Sequence, residues 1–241
     1  MKKWLALAAT AVLGASLLIS GCGSSTNDAS SSSAGSSKAE VLKVAANPVP
    51  HAEILNHIKP LLAKEGVDLQ IIEFTDYIQP NMALSSKEVD ANFFANVPYQ
   101  NNFNKDHGTN FVSFAPVHIE PLAIYSQKIK DLKDLPNGAK VAIPSDPTNS
   151  ARALLLLQSA GLVTLKDPTG LTNTPFDVTS NPKNIQITEL EAAQIPRSIQ
   201  DLDAAVINAN YALPAGLNPT KDGLFVEKAD SPYANLLSVN P

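Results

Sequence analysis

The sequence has little cysteine and no concentrated positive charge, and each shortage excludes a class of protein. Cys22 is the single cysteine among 241 residues, so no disulfide can form within the chain. The formal net charge is −5 and basic residues never form a run, which argues against nucleic acid as a partner. The apolar residues 5–19 are fewer than the roughly 20 that a membrane-spanning helix needs.

The first 40 residues have the pattern of a leader and a tether. Two lysines precede the apolar run, and segment 18–22 (LISGC) resembles the lipobox of bacterial lipoproteins, although Ile19 stands where Leu is usual. We interpret residues 1–21 as a lipoprotein signal peptide and Cys22 as the lipidated residue. Residues 22–40, rich in Ser, Gly and Ala, are then a flexible linker at the extracytoplasmic face of the cell membrane. The alternative is a plain secretory signal with a stray thiol.

Strand-like and helix-like segments alternate after residue 40 and the pattern restarts once, which indicates two α/β lobes. This order of short apolar runs and helical apolar spacing predicts parallel sheets covered on both faces. Lobe 1 is expected over residues 41–117 plus 233–241, and lobe 2 over residues 118–232. Ligands of such proteins bind at the carboxyl ends of strands and between lobes. Four aromatic residues at strand or helix positions are interpreted as core: Phe93, Phe94, Phe103 and Tyr125.

A strand, a rigid turn and a helix start meet at residues 144–152. The three residues 148–150 are all suitable N-caps, so a helix is expected over residues 151–160. Free N–H groups at a helix start attract anions. If Asn149 is the cap, Arg152 lies in the first turn, where its planar fork can hold a carboxylate through two hydrogen bonds. The alternative is a surface arginine beside an ordinary cap.

Several motifs together resemble those of one family. They include Pro48-Val49-Pro50-His51-Ala52-Glu53, Asp76-Tyr77-Ile78-Gln79-Pro80-Asn81, Asp90-Ala91-Asn92-Phe93-Phe94, His118-Ile119-Glu120-Pro121-Leu122, Arg152-Ala153-Leu154 and Asn208-Ala209-Asn210-Tyr211-Ala212. With these motifs the chain resembles the methionine-binding lipoproteins of the MetQ/NlpA family, the receptors of methionine ABC importers. The resemblance implies a periplasmic-binding-protein fold, type II-like, that closes on methionine without a cofactor. It also implies delivery to a permease and ATPase complex, by a protein expected to be a monomer.

The resemblance assigns roles to seven residues. Tyr77 and Tyr99 match an aromatic wall around the thioether, and Arg152 matches the clamp for the carboxylate. Asn96 stands where many relatives carry histidine. The identity of the ligand is therefore left open among L-methionine, D-methionine, a sulfoxide and a methionyl dipeptide. The family also adds a helix after the last strand, so one interpretation is a truncated C-terminus. The remaining positions match polar groups that hold the amino-acid backbone: Asn149, Asn208 and Asn210.

Two other classes of function remain open on the residues alone. An enzyme or metal protein could use His51 and His118 with Glu53 or Glu120, but the histidines lack zinc-protease spacing and no nucleophile elbow is present. In the plainer interpretation, His51 caps a helix and His118 packs at a hinge. A surface adhesin suits the anchor and linker, but not a focused anion site between lobes. Thermal stabilisation by a free amino acid would separate a receptor from both.

Overall fold

The computed structural model describes residues 39–229 and 231–241. The interpretations of the signal peptide, of lipidation at Cys22 and of nearly all of the linker lie outside these residues. Within the described ranges, no helix is both long and apolar enough to cross a membrane.

Strands and helices alternate through most of the described chain. The strands are β1 (Glu40–Ala46), β2 (Val67–Glu73), β3 (Ala91–Asn96), β4 (Val112–Ile119), β5 (Ala123–Tyr125), β6 (Lys140–Pro144), β7 (Thr164–Leu165), β8 (Val178–Ser180), β9 (Gln186–Leu190), β10 (Ala204–Ile207), β11 (Phe225–Val226) and β12 (Ala234–Val239). The α-helices are α1 (Glu53–Lys64), α2 (Gln79–Ser85), α3 (Val97–His107), α4 (Pro147–Ser159), α5 (Ile195–Ser198), α6 (Ala209–Ala212) and α7 (Pro219–Asp222).

Two five-stranded sheets organise these elements. The first has the order β2-β1-β3-β12-β4 and the second β11-β5-β10-β6-β9, while β7 and β8 form a separate pair. Strand β1 is parallel to β2 and β3, and β6 is parallel to β9 and β10. In contrast, β12 is antiparallel to β3 and β4, and β5 is antiparallel to β10 and β11. The prediction of parallel sheets is confirmed for β1, β2 and β3 and for β6, β9 and β10, and is wrong for β5 and β12, because each of these enters directly from the other sheet without a helical crossover.

The core lies on both faces of each sheet. Successive side chains of a strand point to opposite faces, so Val44 packs with α1 while Ala45 packs in the cluster of α2 and α3. Likewise Val141 packs with α4, and Ala142 packs with α5 on the other face. Phe94 is buried as predicted, but it also lines the cavity described below. The other three aromatic residues predicted as core are buried: Phe93, Phe103 and Tyr125.

Helix α4 begins four residues earlier than the sequence pattern predicts. Its N-cap is Asp146, whose carboxylate accepts a hydrogen bond from the backbone N–H of Asn149 at 2.9 Å. Pro147 occupies the first helical position, where its missing N–H costs nothing and its fixed φ suits the helix. Arg152 consequently lies in the second turn. The expected cap at Asn149 and the expected place of Arg152 in the first turn are both wrong.

Candidate functional site

A polar cavity between the two sheets brings together all seven predicted site residues. Its open space, counting the solvent-filled mouth, is about 370 Å³. One wall comes from β3, α3 and the residues before α2, and the other from α4 and α6. The predicted residues that line it are Tyr77, Asn96, Tyr99, Asn149, Arg152, Asn208 and Asn210. Further lining residues are His51, Phe94, Ala95, Glu120, Ala209 and Asn235.

Three aromatic rings form an apolar wall on the side of the first sheet. The ring centroids of Tyr77 and Tyr99 are 5.8 Å apart, edge to face, and Phe94 stacks on Tyr77 at 6.0 Å. The Tyr99 hydroxyl donates to the backbone carbonyl of Tyr77 at 2.7 Å. Asn96 is the N-cap of α3, and its side-chain oxygen accepts from the Tyr99 backbone N–H at 3.0 Å. The Asn96 oxygen therefore fixes the wall, so the Asn96 amide nitrogen is the group left for a ligand.

Two tyrosine hydroxyls link the opposite walls, that of Tyr77 in the cavity and that of Tyr211 beside it. Tyr77 donates to the Asn210 side-chain oxygen at 2.7 Å, and Tyr211 donates to the Thr75 carbonyl at 3.1 Å. Burial, reinforced by Tyr211 and by the negative charge of Glu120, raises the pKa of Tyr77 well above its ordinary value. The hydroxyl of Tyr77 is therefore a neutral donor at any physiological pH. Both contacts hold the residues around α6 close to the segment that precedes α2.

An amide network on the opposite wall leaves two buried groups without partners. The Asn149 amide donates to the Asp146 carboxylate at 3.0 Å, and the Asn208 amide donates to the Asn149 side-chain oxygen at 2.9 Å. Among the described residues, the Asn208 oxygen and the Asn210 amide nitrogen are buried and make no hydrogen bond. Such unpaired groups are rare and point to an absent partner. Both residues line the cavity, which thus offers a bound molecule one acceptor and one donor.

The fork of Arg152 holds a carboxylate of the protein itself. Its Nε donates to Glu227 Oε1 at 2.9 Å, and its Nη2 donates to Glu227 Oε2 at 2.5 Å. Nη2 also donates to the backbone carbonyl of Glu120 at 2.8 Å. The third nitrogen, Nη1, makes no hydrogen bond within residues 39–229 and 231–241, and Arg152 lines the cavity. Arg152 therefore contacts a protein carboxylate through two nitrogens, and its two-pronged grip on a ligand stays a prediction.

A second charged group faces the cavity from the connection after β4. Glu120 Oε1 accepts from His118 Nε2 at 2.7 Å and lies 3.0 Å from His51 Nε2, while Oε2 has no partner in the described chain. Burial alone would raise the pKa of Glu120, but the hydrogen bonds from His118 and His51 outweigh it and lower that pKa to about 2. Glu120 is consequently an ionised carboxylate with one oxygen free.

Within residues 39–229 and 231–241, His51, His118 and Glu120 form a group that could hold a metal ion, with ligand atoms within 4.8 Å of one another. Histidines that bind metal normally donate their second ring N–H to an acceptor. In the described residues, Nδ1 of His51 and of His118 is buried without any partner. The arrangement fits the Nε2–H tautomers donating to Glu120 better than it fits a metal centre.

Sequence reasoning did not assign Glu120 or Asn235 to the binding site. Asn235 lies on β12 opposite Asn96 of β3 and His118 of β4, and its side-chain oxygen is 3.3 Å from His51 Nε2. The available signal for Asn235 was a polar residue beside the apolar pair Leu236 and Leu237 of β12.

Two sheets that face each other across a polar cavity define the class of periplasmic substrate-binding proteins, as predicted. Within that class, the chain belongs to the NlpA lipoprotein family, whose model matches residues 42–241.

Individual relatives agree with this assignment. The D-methionine-binding lipoprotein MetQ of Salmonella typhimurium is 44% identical over 237 residues, which is 98% of this chain and 84% of that protein. A nutrient-binding protein of Burkholderia cenocepacia, solved bound to methionine, has a TM-score of 0.80 at 48% identity, covering 83% of this chain and 84% of that one. A periplasmic substrate-binding protein of an ABC transporter from Coxiella burnetii has a TM-score of 0.79 at 44% identity, with coverage of 83% and 84%.

Proposed function

We propose that the protein is a receptor that binds methionine, or a close derivative, in this cavity and delivers it to an ABC importer. The observation that carries the proposal is the placement of opposite charges, Glu120 and Arg152, in one cavity with an aromatic wall. A zwitterion with a thioether needs these three features, since a buried charge requires a partner and sulfur packs well on aromatic rings. The relative from Burkholderia cenocepacia, bound to methionine, supports the same ligand class.

The unpaired groups suggest how the ligand is held. The ammonium group would donate to Glu120 Oε2 and to the Asn208 oxygen. The carboxylate would accept from Arg152 Nη1 and from the Asn210 amide. The side chain would lie against Tyr77 and the two rings beside it. In this arrangement the Asn208 oxygen and the Asn210 amide nitrogen, which are buried and unpaired among the described residues, would each gain a partner.

The remaining sequence-based interpretations belong to the same proposal. Cys22 would carry the lipid, residues 22–40 would span the gap to the folded part, and the receptor would dock as a monomer on the permease and ATPase complex. Lobe 1 (41–117 plus 233–241) and lobe 2 (118–232) would move relative to each other around the cavity. The hydrogen bond from Tyr77 to Asn210 would then be made on closing.

A thermal-shift and calorimetry panel on the purified mature protein tests the ligand class. L-methionine, D-methionine, methionine sulfoxide and a methionyl dipeptide are compared with glutamate, lysine and glucose. At least one methionine derivative should raise Tm and bind, because a ligand at 100 times its Kd stabilises by about 2.7 kcal/mol. Glutamate, lysine and glucose should have no effect. A charged amino acid or a sugar that binds more tightly than every methionine derivative would refute the proposal.

A further inference from the structure

Residues of the protein itself hold the guanidinium group of Arg152 from three sides. Glu227 holds its Nε and Nη2, the Glu120 carbonyl accepts from Nη2, and the Tyr233 ring lies 4.3 Å from its central carbon. Glu227 is itself anchored, since its Oε2 accepts from the backbone N–H of Leu122 at 3.2 Å. The arginine therefore cannot swing its fork toward the cavity without breaking this set of contacts.

The same contacts neutralise the positive charge. Arg152 is 4% exposed and Glu227 is 16% exposed, so the two charges attract each other with little screening by water. Glu120 is held through Oε1 by two histidine ring nitrogens, and its Oε2 has no partner in the described chain. The cavity thus has a carboxylate oxygen available at Glu120, and a guanidinium whose charge is largely cancelled by Glu227 at the other end.

We propose that Glu227 is a positioning residue that holds and neutralises Arg152, so that the site selects the ligand by its ammonium group and tolerates a carboxylate or an amide at the other end. The inference rests on the proposed function and names its substrate class more closely. The class is α-amino compounds with the methionine side chain, whether the carboxyl group is free or amidated. A single nitrogen, Nη1, can donate to an amide oxygen as well as to a carboxylate.

The test compares L-methionine with L-methioninamide, which differ only in having a carboxylate or a carboxamide. Titration calorimetry on the purified mature protein gives Kd for both, and the readout is the ratio of the amide Kd to the methionine Kd. In the wild-type protein this ratio should stay below about thirtyfold, because Nη1 makes one hydrogen bond to either ligand. A larger ratio in the wild-type protein overturns the proposal without the need for any variant.

Glu227→Gln is the decisive variant, since it removes the neutralising charge and keeps the size of the side chain. An uncancelled Arg152 attracts the carboxylate of methionine and repels the net positive charge of methioninamide, so the ratio should rise by about tenfold or more. Glu227→Asp keeps the charge and should stay near the wild-type ratio. Glu88→Gln makes the same chemical change at an exposed residue outside the cavity lining, and should leave the ratio unchanged.

The outcomes distinguish a failure of the proposed function from a failure of the role proposed for Glu227. If the wild-type protein binds no methionine derivative, the proposed function fails. If it binds methionine but Glu227→Gln and Glu88→Gln give ratios within twofold of each other, Glu227 has only a structural role and the inference is wrong. A purely structural role would lower both affinities together and leave the ratio where it was.

Discussion

Replacing Arg152 by alanine should destabilise the folded protein as well as weaken ligand binding. Helix propensity alone predicts almost no effect, since Arg and Ala are both good helix formers. The structure predicts otherwise, because the substitution leaves the Glu227 carboxylate buried without its cation. Removing one member of a buried pair typically costs 3–5 kcal/mol. Glu227 keeps 16% exposure and its hydrogen bond from Leu122, so we expect about 3 kcal/mol, near the lower limit.

The double variant Arg152→Ala with Glu227→Gln isolates this cause. It removes the stranded charge, so the cost should fall to about 1 kcal/mol, the loss of the hydrogen bond to the Glu120 carbonyl and of packing on Tyr233. The single variant should therefore lower Tm by roughly 6–12 °C and the double variant by roughly 2–4 °C, using the usual shift for a domain of this size.

Urea unfolding followed by circular dichroism measures these differences, because removal of the signal peptide would take away the only tryptophan, Trp4. The four proteins of the double-mutant cycle are compared with Glu88→Gln as the control for lost surface charge. A coupling energy of about 2 kcal/mol or more is expected. A single variant that loses less than 1 kcal/mol, or a double variant whose loss is the sum of both single losses, would refute the reasoning.

The same Arg152→Ala protein tests how the arginine binds a ligand. Since Nη1 is the nitrogen of Arg152 that has no hydrogen-bond partner in the described chain, removing the arginine should cost one charge-assisted hydrogen bond to the ligand, about 1.5–3 kcal/mol, or roughly ten- to a hundredfold in Kd. A loss of four decades would show instead that the fork turns from Glu227 to the ligand on binding.

Three further outcomes are expected. Tyr77→Phe removes the hydroxyl that donates to Asn210 across the cavity, so Kd for methionine should rise about three- to tenfold by calorimetry, and an unchanged Kd would show that this contact does not assist closing. The pKa of Glu120 is lowered from 4.5 to about 2, so its contribution to stability is complete above pH 4.5 and is lost as the pH falls toward 2. Glu120→Gln should therefore flatten the dependence of Tm on pH in that window; an equally steep curve in both proteins would assign the acid sensitivity to other groups. Cys22→Ala should release the protein from the membrane fraction or leave its precursor uncleaved, whereas a normally processed, membrane-bound variant would contradict lipidation.

Seven residues of the cavity were named through the resemblance to the family, and the topology explains why they meet, since most of them lie at or just after strand ends. Asn96 and Tyr99 follow β3, Asn149 and Arg152 follow β6, and Asn208 follows β10. The carboxyl ends of strands are the places where α/β proteins bind ligands, so motif positions and topology indicate the same residues. Fold class was predictable for a similar reason, since strands and helices differ in their apolar period.

The ion pair between Arg152 and Glu227 could not be predicted in this way. Glu227 lies 75 residues after Arg152, and nothing in the local pattern of either indicates that they meet. The helix start was misjudged because three good capping residues follow Asp146-Pro147, and the pattern alone cannot rank them against a proline at the first position. The return of residues 233–241 to the first lobe was predicted, but not the antiparallel direction of β12 between β3 and β4, because direction depends on the end of the sheet at which the chain enters.

The two carboxylates that organise the cavity both lie on connections between the sheets. Glu120 stands between β4 and β5, and Glu227 stands between β11 and β12. Arg152 contacts both connections, through the Glu120 carbonyl and the Glu227 side chain. A rotation of one sheet relative to the other would have to pass through these connections, and would therefore move the partners of the arginine. The groups that contact Arg152 therefore belong to the two connections between the sheets. Substitutions in either connection should change ligand affinity and stability together.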